Sequence, residues 1–328
     1  MSEKTYDVVG LGELLIDFAK APDGSLRFSG NPGGAPPNVL AELAKLGKKT
    51  AFIGKVGDDM FGAHLRRALT DAHINDAGLL TDPDAFTTLA FVSIDDRGER
   101  EFSFARKNSA DVRLRADEVR FDLIESARVF HVGTLSLTDE PARSATVAAL
   151  DRAKAAGCAI SVDPNYRPPL WKSEDDAREA MRLALSYADI VKISDYEVSF
   201  LYGEDVSPED GARRLVSDFG IDLIFVTCGE KGAFAHAGGA LAFAPALADA
   251  YPVDTTGAGD CFTGAALSRL IDLGLCGSSF DFASLGEKAL ADVLRFANTA
   301  AGISTERPGA IPAMPSAAEI AARLGEKL

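Results

Sequence analysis

The chain has 328 residues, 47% hydrophobic and 25% charged, enough to bury a full core as one large α/β domain or a domain with a smaller appendage. Its 34 basic and 49 acidic side chains give a formal charge of −15, which argues against a nucleic-acid surface but not against an anionic nucleotide held by a few local donors.

The first residues, MSEKTYDVVGLGELLIDF, carry charges before a short apolar run and lack the basic start of a secretory signal. No window approaches the roughly 20 apolar residues of a membrane span. Cys158, Cys228, Cys261 and Cys276 are far apart, with no C-x-x-C, and read as reduced thiols. A cytoplasmic protein with no membrane or nucleic-acid partner is expected.

YDVVGLG predicts a first strand. Gly10-Leu11-Gly12 begins like a dinucleotide fingerprint, but the third glycine is missing and β-like sequence follows. LLIDFAKAPDGSLRFSG predicts a hairpin turning at Pro22, Asp23 and Gly24. Next comes Asn31-Pro32-Gly33-Gly34-Ala35, where Gly33 and Gly34 permit close approach of a ligand to the backbone. The run PNVLAELAKLG predicts a helix with Val39, Leu43 and Leu46 on one face and Asn38 on the other, free to hydrogen-bond a polar ligand. By itself this segment also reads as a loop followed by an exposed Asn. TAFIGKVG predicts another strand, and TTLAFVSIDDRGEREFSFAR a second hairpin around Asp95–Gly98. On its second strand Phe102, Phe104 and Arg106 share parity, which suits a strand covering a polar ligand.

ARVFHVG, CAISVD, ADIVKIS and DLIFVTCG, alternating with helical stretches, predict buried parallel strands. Polar clusters follow three of them: Asp163, Asn165 and Arg167; Ser194 and Glu197; Thr227, Gly229 and Gly232. The carboxyl ends of parallel strands are where ligands collect, although each cluster alone also reads as an N-cap or turn. His64, His73, His131 and His236 show no metal-ligand spacing, and there is no G-x-x-x-x-G-K-[ST].

The sharpest signal is Val253-Asp254-Thr255-Thr256-Gly257-Ala258-Gly259-Asp260-Cys261-Phe262. Phe262, Ala265, Ala266 and Leu270 follow helical spacing, so the small residues stand at a helix N-terminus, where free amides and the helix dipole favour an anion. Asp260 beside that anion is placed to act as general base toward a hydroxyl. Spacing alone equally allows a glycine turn in which Asp260 merely favours the dipole.

With these residues in view, the chain resembles the ribokinase-like (PfkB) carbohydrate kinases, the fructokinases most of all. NPGGAPPN and VDTTGAGDCFTG look like the two family signatures, and GKVGDDMFG, EREFSFARKNSAD, FHVGTLSL and DPNYRPPLW are similar to fructokinase segments. The resemblance implies a three-layer α/β/α sandwich around a mostly parallel sheet (residues 1–12, 32–85 and 107–328) and an inserted β lid (13–31 and 86–106) that can form a homodimer contact. It implies transfer of the ATP γ-phosphoryl group to a sugar, with fructose expected, Mg²⁺ as cofactor and K⁺ as a further ion. Asp260 would be the base and Gly257, Ala258 and Gly259 the anion hole. Asp17, Gly33, Gly34, Asn38, Phe104, Arg106 and Arg167 would hold the sugar. Lys192, Ser194, Glu197, Thr227, Gly229, Gly232 and Asn298 would serve the nucleotide, and Asp254, Thr256, Thr305 and Ala310 the monovalent cation. Two departures are visible: Ser194 where the family's Asn-x-x-Glu begins with Asn, and Ala105 where many fructokinases have an aromatic. The competing expectations are a 2-keto-3-deoxygluconate kinase, a catalytically silent sugar-binding relative and a dinucleotide-dependent oxidoreductase.

Overall fold

Runs that are apolar at every position leave no face for water, and here they pair into a nine-stranded sheet covered on both sides. The computed structural model describes residues 4–21, 25–94, 100–275 and 281–325. In chain order the strands are β1 (Tyr6–Leu11), β2 (Leu15–Lys20), β3 (Phe28–Gly33), β4 (Thr50–Gly57), β5 (Asn75–Asp82), β6 (Leu89–Ile94), β7 (Arg100–Ala105), β8 (Ala127–Gly133), β9 (Ala159–Asp163), β10 (Ile190–Ser194), β11 (Leu223–Thr227), β12 (Ala233–Ala237) and β13 (Ala240–Ala244). The helices are α1 (Ala35–Lys45), α2 (Met60–Asp71), α3 (Phe121–Glu125), α4 (Ala142–Ala155), α5 (Glu174–Leu185), α6 (Asp195–Tyr202), α7 (Pro208–Phe219), α8 (Ala258–Asp272), α9 (Glu287–Ser304) and α10 (Ala317–Leu324).

The large sheet is ordered β13-β12-β11-β10-β9-β8-β1-β4-β5. From β5 to β11 all neighbours are parallel, and β12 and β13 add an antiparallel edge. One apolar cluster joins the sheet to α1, α2, α8, α9 and α10, the other to α3 through α7. The expected three-layer α/β/α arrangement is therefore present. The chain leaves β1 toward β4 on one side and later returns at β8 on the other. Such a reversal opens a crevice at the strands' carboxyl ends.

Both expected hairpins form and together make a second sheet, β3-β2-β6-β7. Their turns, at Pro22–Gly24 and Asp95–Gly98, lie outside the described residues. The hairpins meet through a parallel seam, β2 with β6, because the chain crosses the large sheet between them. Phe18 stacks on Phe91 at 5.3 Å and meets Phe61 of α2 edge-on at 5.9 Å, which anchors one face of this sheet to the body. The alternate residues Leu15, Asp17, Phe102 and Phe104 face the crevice.

One expectation fails in α1. Its pattern predicts one buried face, yet Ala35 through Leu43 are all buried, because the helix is wedged between β1, β4 and α8. Glu42 is the most costly resident of that seam. Neither carboxyl oxygen has a hydrogen-bond partner of good geometry among the described residues, and burial raises its pKa well above the usual range, opposed chiefly by the nearby Cys261 thiol, which is too poorly placed to count as a full donor. Burial thus favours the neutral acid.

No helix among the described residues is long and apolar enough to cross a membrane. Cys158, Cys228 and Cys261 are buried free thiols, and Cys276 lies outside the described residues.

Candidate active site

Helix α8 starts at Gly257, whose φ of 76° few other residues adopt, and its first turn carries Ala258, Gly259 and Asp260. First-turn amides have no partner within the helix; Ala258 N–H turns back to the Thr255 carbonyl at 3.3 Å. Asp260 is buried, only 7% exposed. Asn38 Nδ2 donates to its Oδ2 at 2.8 Å and Asn165 Nδ2 to its Oδ1 at 3.1 Å. Burial, reinforced by the nearby charge of Asp163, pushes its pKa up to about 7 against the opposing pull of Asn38, Lys192 and Arg167. Asn38 is therefore not the exposed residue the helical pattern suggests: it is 3% exposed, spends its donor on Asp260 and keeps Oδ1 buried without a partner.

The ends of β9 and β10 supply the second wall. Lys192 is buried with Nζ 3.1 Å from Asp163 Oδ2. Burial alone would lower its pKa, but Asp163, Glu197 and Asp260 together raise it, so it is a cation. Ser194 and Glu197 form a capping box at the start of α6: Ser194 N–H and Oγ both donate to Glu197 Oε2 at 2.8 Å. The other oxygen, Oε1, accepts from Tyr166 N–H at 2.7 Å, and Tyr166 stacks on Phe200 at 4.1 Å. This fixes the loop that delivers Asn165, held at φ 51°, and Arg167. The Arg167 guanidinium lies 5.8 Å from the Phe102 ring, linking that loop to β7.

The third wall is N-terminal. Glu13 Oε1 accepts the first amide of α1, from Ala35, at 2.8 Å, and burial raises its pKa. A Cβ at Gly33 would sit 2.0 Å from Asp17 Oδ2, so only glycine admits the Asp17 carboxylate at this point.

These walls enclose a cleft of about 220 Å³. Of the residues singled out from sequence, it is lined by Asp17, Gly34, Asn38, Phe104, Arg167, Lys192, Ser194, Glu197, Thr256, Gly257, Ala258, Gly259 and Asp260. Others stand elsewhere. Gly33 lies directly behind Asp17. Arg106 is drawn away, donating from Nε to Asp111 at 2.8 Å, from Nη1 to Thr138 Oγ1 at 2.8 Å and from Nη2 to the Leu135 carbonyl at 2.7 Å. Thr227 ends β11 beside Ser194, Gly229 opens a short 3₁₀ turn, and Gly232 precedes β12. Asn298 spends its amide on the Ala244 and Pro245 carbonyls at 2.9 and 3.0 Å, bracing β13 against α9. Asp254 Oδ1 accepts from Thr256 N–H and Oγ1, and Oδ2 from Gly309 N–H. The Thr305 carbonyl accepts both Val253 and Asp254 amides, which occupies its two lone pairs, while Ala310 abuts Gly257.

Asn165, singled out as part of a strand-end cluster, enters the cleft too, and so do residues without a predicted role, among them Glu13 and Leu135. Glu13 follows the carboxyl end of β1, so the strand-end rule that singled out Asn165's cluster applies to it as well. Leu135 gives no polar signal to read. Among the described residues no group of three or more His, Cys, Asp or Glu is arranged to hold a metal ion.

The pfkB family carbohydrate kinase profile matches residues 5–317. "Probable fructokinase-5" of Arabidopsis thaliana is 44% identical over 317 residues, 95% of each chain. Among solved structures, fructokinase with bound ATP from Xylella fastidiosa superposes with a TM-score of 0.88 at 30% identity, covering 97% of this chain and 98% of that one. Fructokinase from Vibrio cholerae, in its fructose, ADP and calcium ion bound form, gives 0.84 at 33% identity over 97% and 99%. A match over nearly the whole length, on a chain whose signature residues meet in one cleft, settles the kinship: this protein belongs to the PfkB family of carbohydrate kinases.

Proposed function

We propose that the enzyme transfers the γ-phosphoryl group of ATP to O6 of D-fructose, with Asp260 as general base. The observation that carries this reading is a buried carboxylate, in the first turn of a glycine-opened helix, sharing a cleft with Asp17 and Asn38. Asp260 takes the proton of the attacking hydroxyl, whose oxygen forms the new P–O bond as the bond to ADP breaks. The amides of Gly257–Gly259 and the Lys192 ammonium hold the charge of the transferring group. Asp17, Gly34, Asn38, Phe104 and Arg167 face the sugar, with Gly33 making room for the Asp17 carboxylate and Arg106 bracing from behind. Ser194, Glu197, Thr227, Gly229, Gly232 and Asn298 serve the nucleotide side. A divalent ion would be held largely through the phosphates and its own waters, with Glu197, whose oxygens are engaged by Ser194 and Tyr166, reached through such a water, and it would supply charge neutralisation. Asp254, Thr256, Thr305 and Ala310, behind the helix start, would serve a monovalent cation only if the hydrogen bonds that now occupy Asp254 and the Thr305 carbonyl give way. The second sheet serves as lid and homodimer contact, a reading supported by the exposed Leu26 and by Phe28 on its edge strand.

The Vibrio cholerae fructokinase structure carries fructose and the Xylella fastidiosa one ATP; the first supports the choice of sugar and the second the phosphoryl donor. The 2-keto-3-deoxygluconate alternative needs a cationic pocket. The cleft instead sets Glu13, Asp17, Glu197 and Asp260 against Arg167 and Lys192, while Arg106 is committed to Asp111. That balance favours a neutral sugar. A silent relative would lack the base or the glycine run, and both are here. A dinucleotide enzyme would follow β1 with a helix, where this chain has β2.

ATP turnover with fructose, ribose and 2-keto-3-deoxygluconate at equal concentration is expected to be fastest in kcat/KM with fructose. A preference for the acid sugar above about tenfold, roughly 1.4 kcal/mol, overturns the assignment. The base also sets a pH dependence. Raised to about 7, Asp260 is protonated below that pH, and a protonated carboxyl cannot accept the hydroxyl proton. The value of kcat is expected to fall about tenfold per unit as pH drops below 7.

A further inference from the structure

Resting on the reading of Asp260 as base and Gly257–Gly259 as anion cradle, we propose that Asp163 is a positioning residue for phosphoryl transfer: it holds the Lys192 ammonium over Gly259 and off Asp260.

Asp163 does not line the cleft and is 1% exposed, so it cannot touch a substrate. It closes β9, the parallel neighbour of β10, and from there its Oδ2 lies 3.1 Å from Lys192 Nζ. Lys192 does reach the cleft. Its Nζ stands 2.9 Å from the position a Cβ on Gly259 would take, so the cation rests against the backbone of the cradle, and a side chain at Gly259 would displace it. Thr263, one turn beyond Asp260 in α8, ties the same corner together. Its hydroxyl donates to the Gly259 carbonyl at 2.9 Å and lies 3.4 Å from Asp163 Oδ2.

The cation has a choice of anions. Asp163 faces it from β9, Asp260 from α8 and Glu197 from α6, while His131, the titratable group of β8, stays neutral because burial lowers its pKa to about 3. Glu197 is spent on Ser194 and Tyr166. Without Asp163, the remaining anion for Lys192 is the base itself, and an ion-paired Asp260 would accept a proton poorly. Stability does not explain the pair, since burying two charges repays little, and Asp163 Oδ1 is left buried without a partner among the described residues. Placement of charge does.

The test is Asp163→Asn, which keeps shape and removes charge, alongside Lys192→Met and the double variant, with kcat, KM for fructose and the pH profile of kcat for each. Asp163→Asn is expected to lower kcat about 10- to 100-fold with KM changed less than about threefold. It should also move the acid limb to lower pH, because an anion beside Asp260 is gone and Lys192 turns toward the base. Lys192→Met leaves Asp163 uncompensated beside Asp260 and should move the limb to higher pH. If Asp163 acts through Lys192, the double variant loses much less than the product of the single losses. Independent losses, or acid limbs that stay in place in both single variants, overturn the proposal. If Asp163→Asn does not fold, Asp163→Ser takes its place with the same readouts and the same double variant. Asp260→Asn separates the two ideas: an inactive Asp260→Asn together with unmoved limbs removes the role of Asp163 and leaves the base standing.

Discussion

Asp260→Asn is expected to lower kcat by about 10²- to 10⁴-fold while the enzyme still binds fructose. The substitution keeps the size of the side chain but removes its capacity to take a proton. Asn38 and Asn165 each donate to one of the carboxyl oxygens, so an amide can satisfy only one of them and turns its own NH₂ toward the other. That local conflict costs some order in the cleft, yet the sugar-side residues Asp17 and Gly33–Gly34 are held by other elements. Thermal stabilisation by fructose should persist, and the acid limb of the pH profile should vanish with the group that produces it. Turnover within a factor of a few of the parent would reject Asp260 as base.

Gly257→Ala is expected to lower kcat about 100-fold with a much smaller effect on folding. Its φ of 76° costs an alanine about 1–2 kcal/mol. The new methyl would lie 2.7 Å from Ala310 Cβ, closer than two carbons can approach. Ala310 cannot simply retreat, because neighbouring Gly309 is tied to Asp254, which in turn orders Thr256. The strain is relieved by shifting the first turn of α8, and losing one well-aimed cradle donor typically costs 10²–10³ in rate, about 3–4 kcal/mol of transition-state stabilisation. Steady-state kinetics paired with thermal melting check this. A variant that melts normally and turns over normally would show that the cradle amides are not where the charge develops.

The layered fold was readable because its strands are apolar on both faces, and VFHVG or LIFVT has no other place to go. The two hairpins of the second sheet were readable for the opposite reason, their alternation and turn residues. What local pattern could not give was the parallel seam joining them, which depends on a crossover through α1, β4, α2 and β5. The cleft was readable wherever a polar cluster followed a strand or a glycine run opened a helix, as with Asp260, Ser194 and Asn165. Asn38 and Arg106 show the limit of that method. Periodicity told which way each side chain pointed relative to its own element, but not that α8 would lie against α1 or that Asp111 would capture the arginine. Those are tertiary contacts between residues 222 and 5 positions apart. Neither separation leaves a mark on a helical or strand pattern. Asp163 was visible only as part of a strand-end cluster, because what distinguishes it is the lysine on the adjacent strand.

The uncompensated acid in the seam between α1 and α8 has its own bearing on how this enzyme meets its surroundings. A carboxyl whose affinity for protons is greater folded than unfolded makes the folded chain gain stability as pH falls toward the unfolded value and lose it as pH rises. Asp260, on the neighbouring helix, asks for the reverse, since it works only once its proton has left. As pH falls, this one acid therefore favours the folded chain while Asp260 loses its reactivity, and as pH rises the base is freed while the contribution of that acid to the joint is lost.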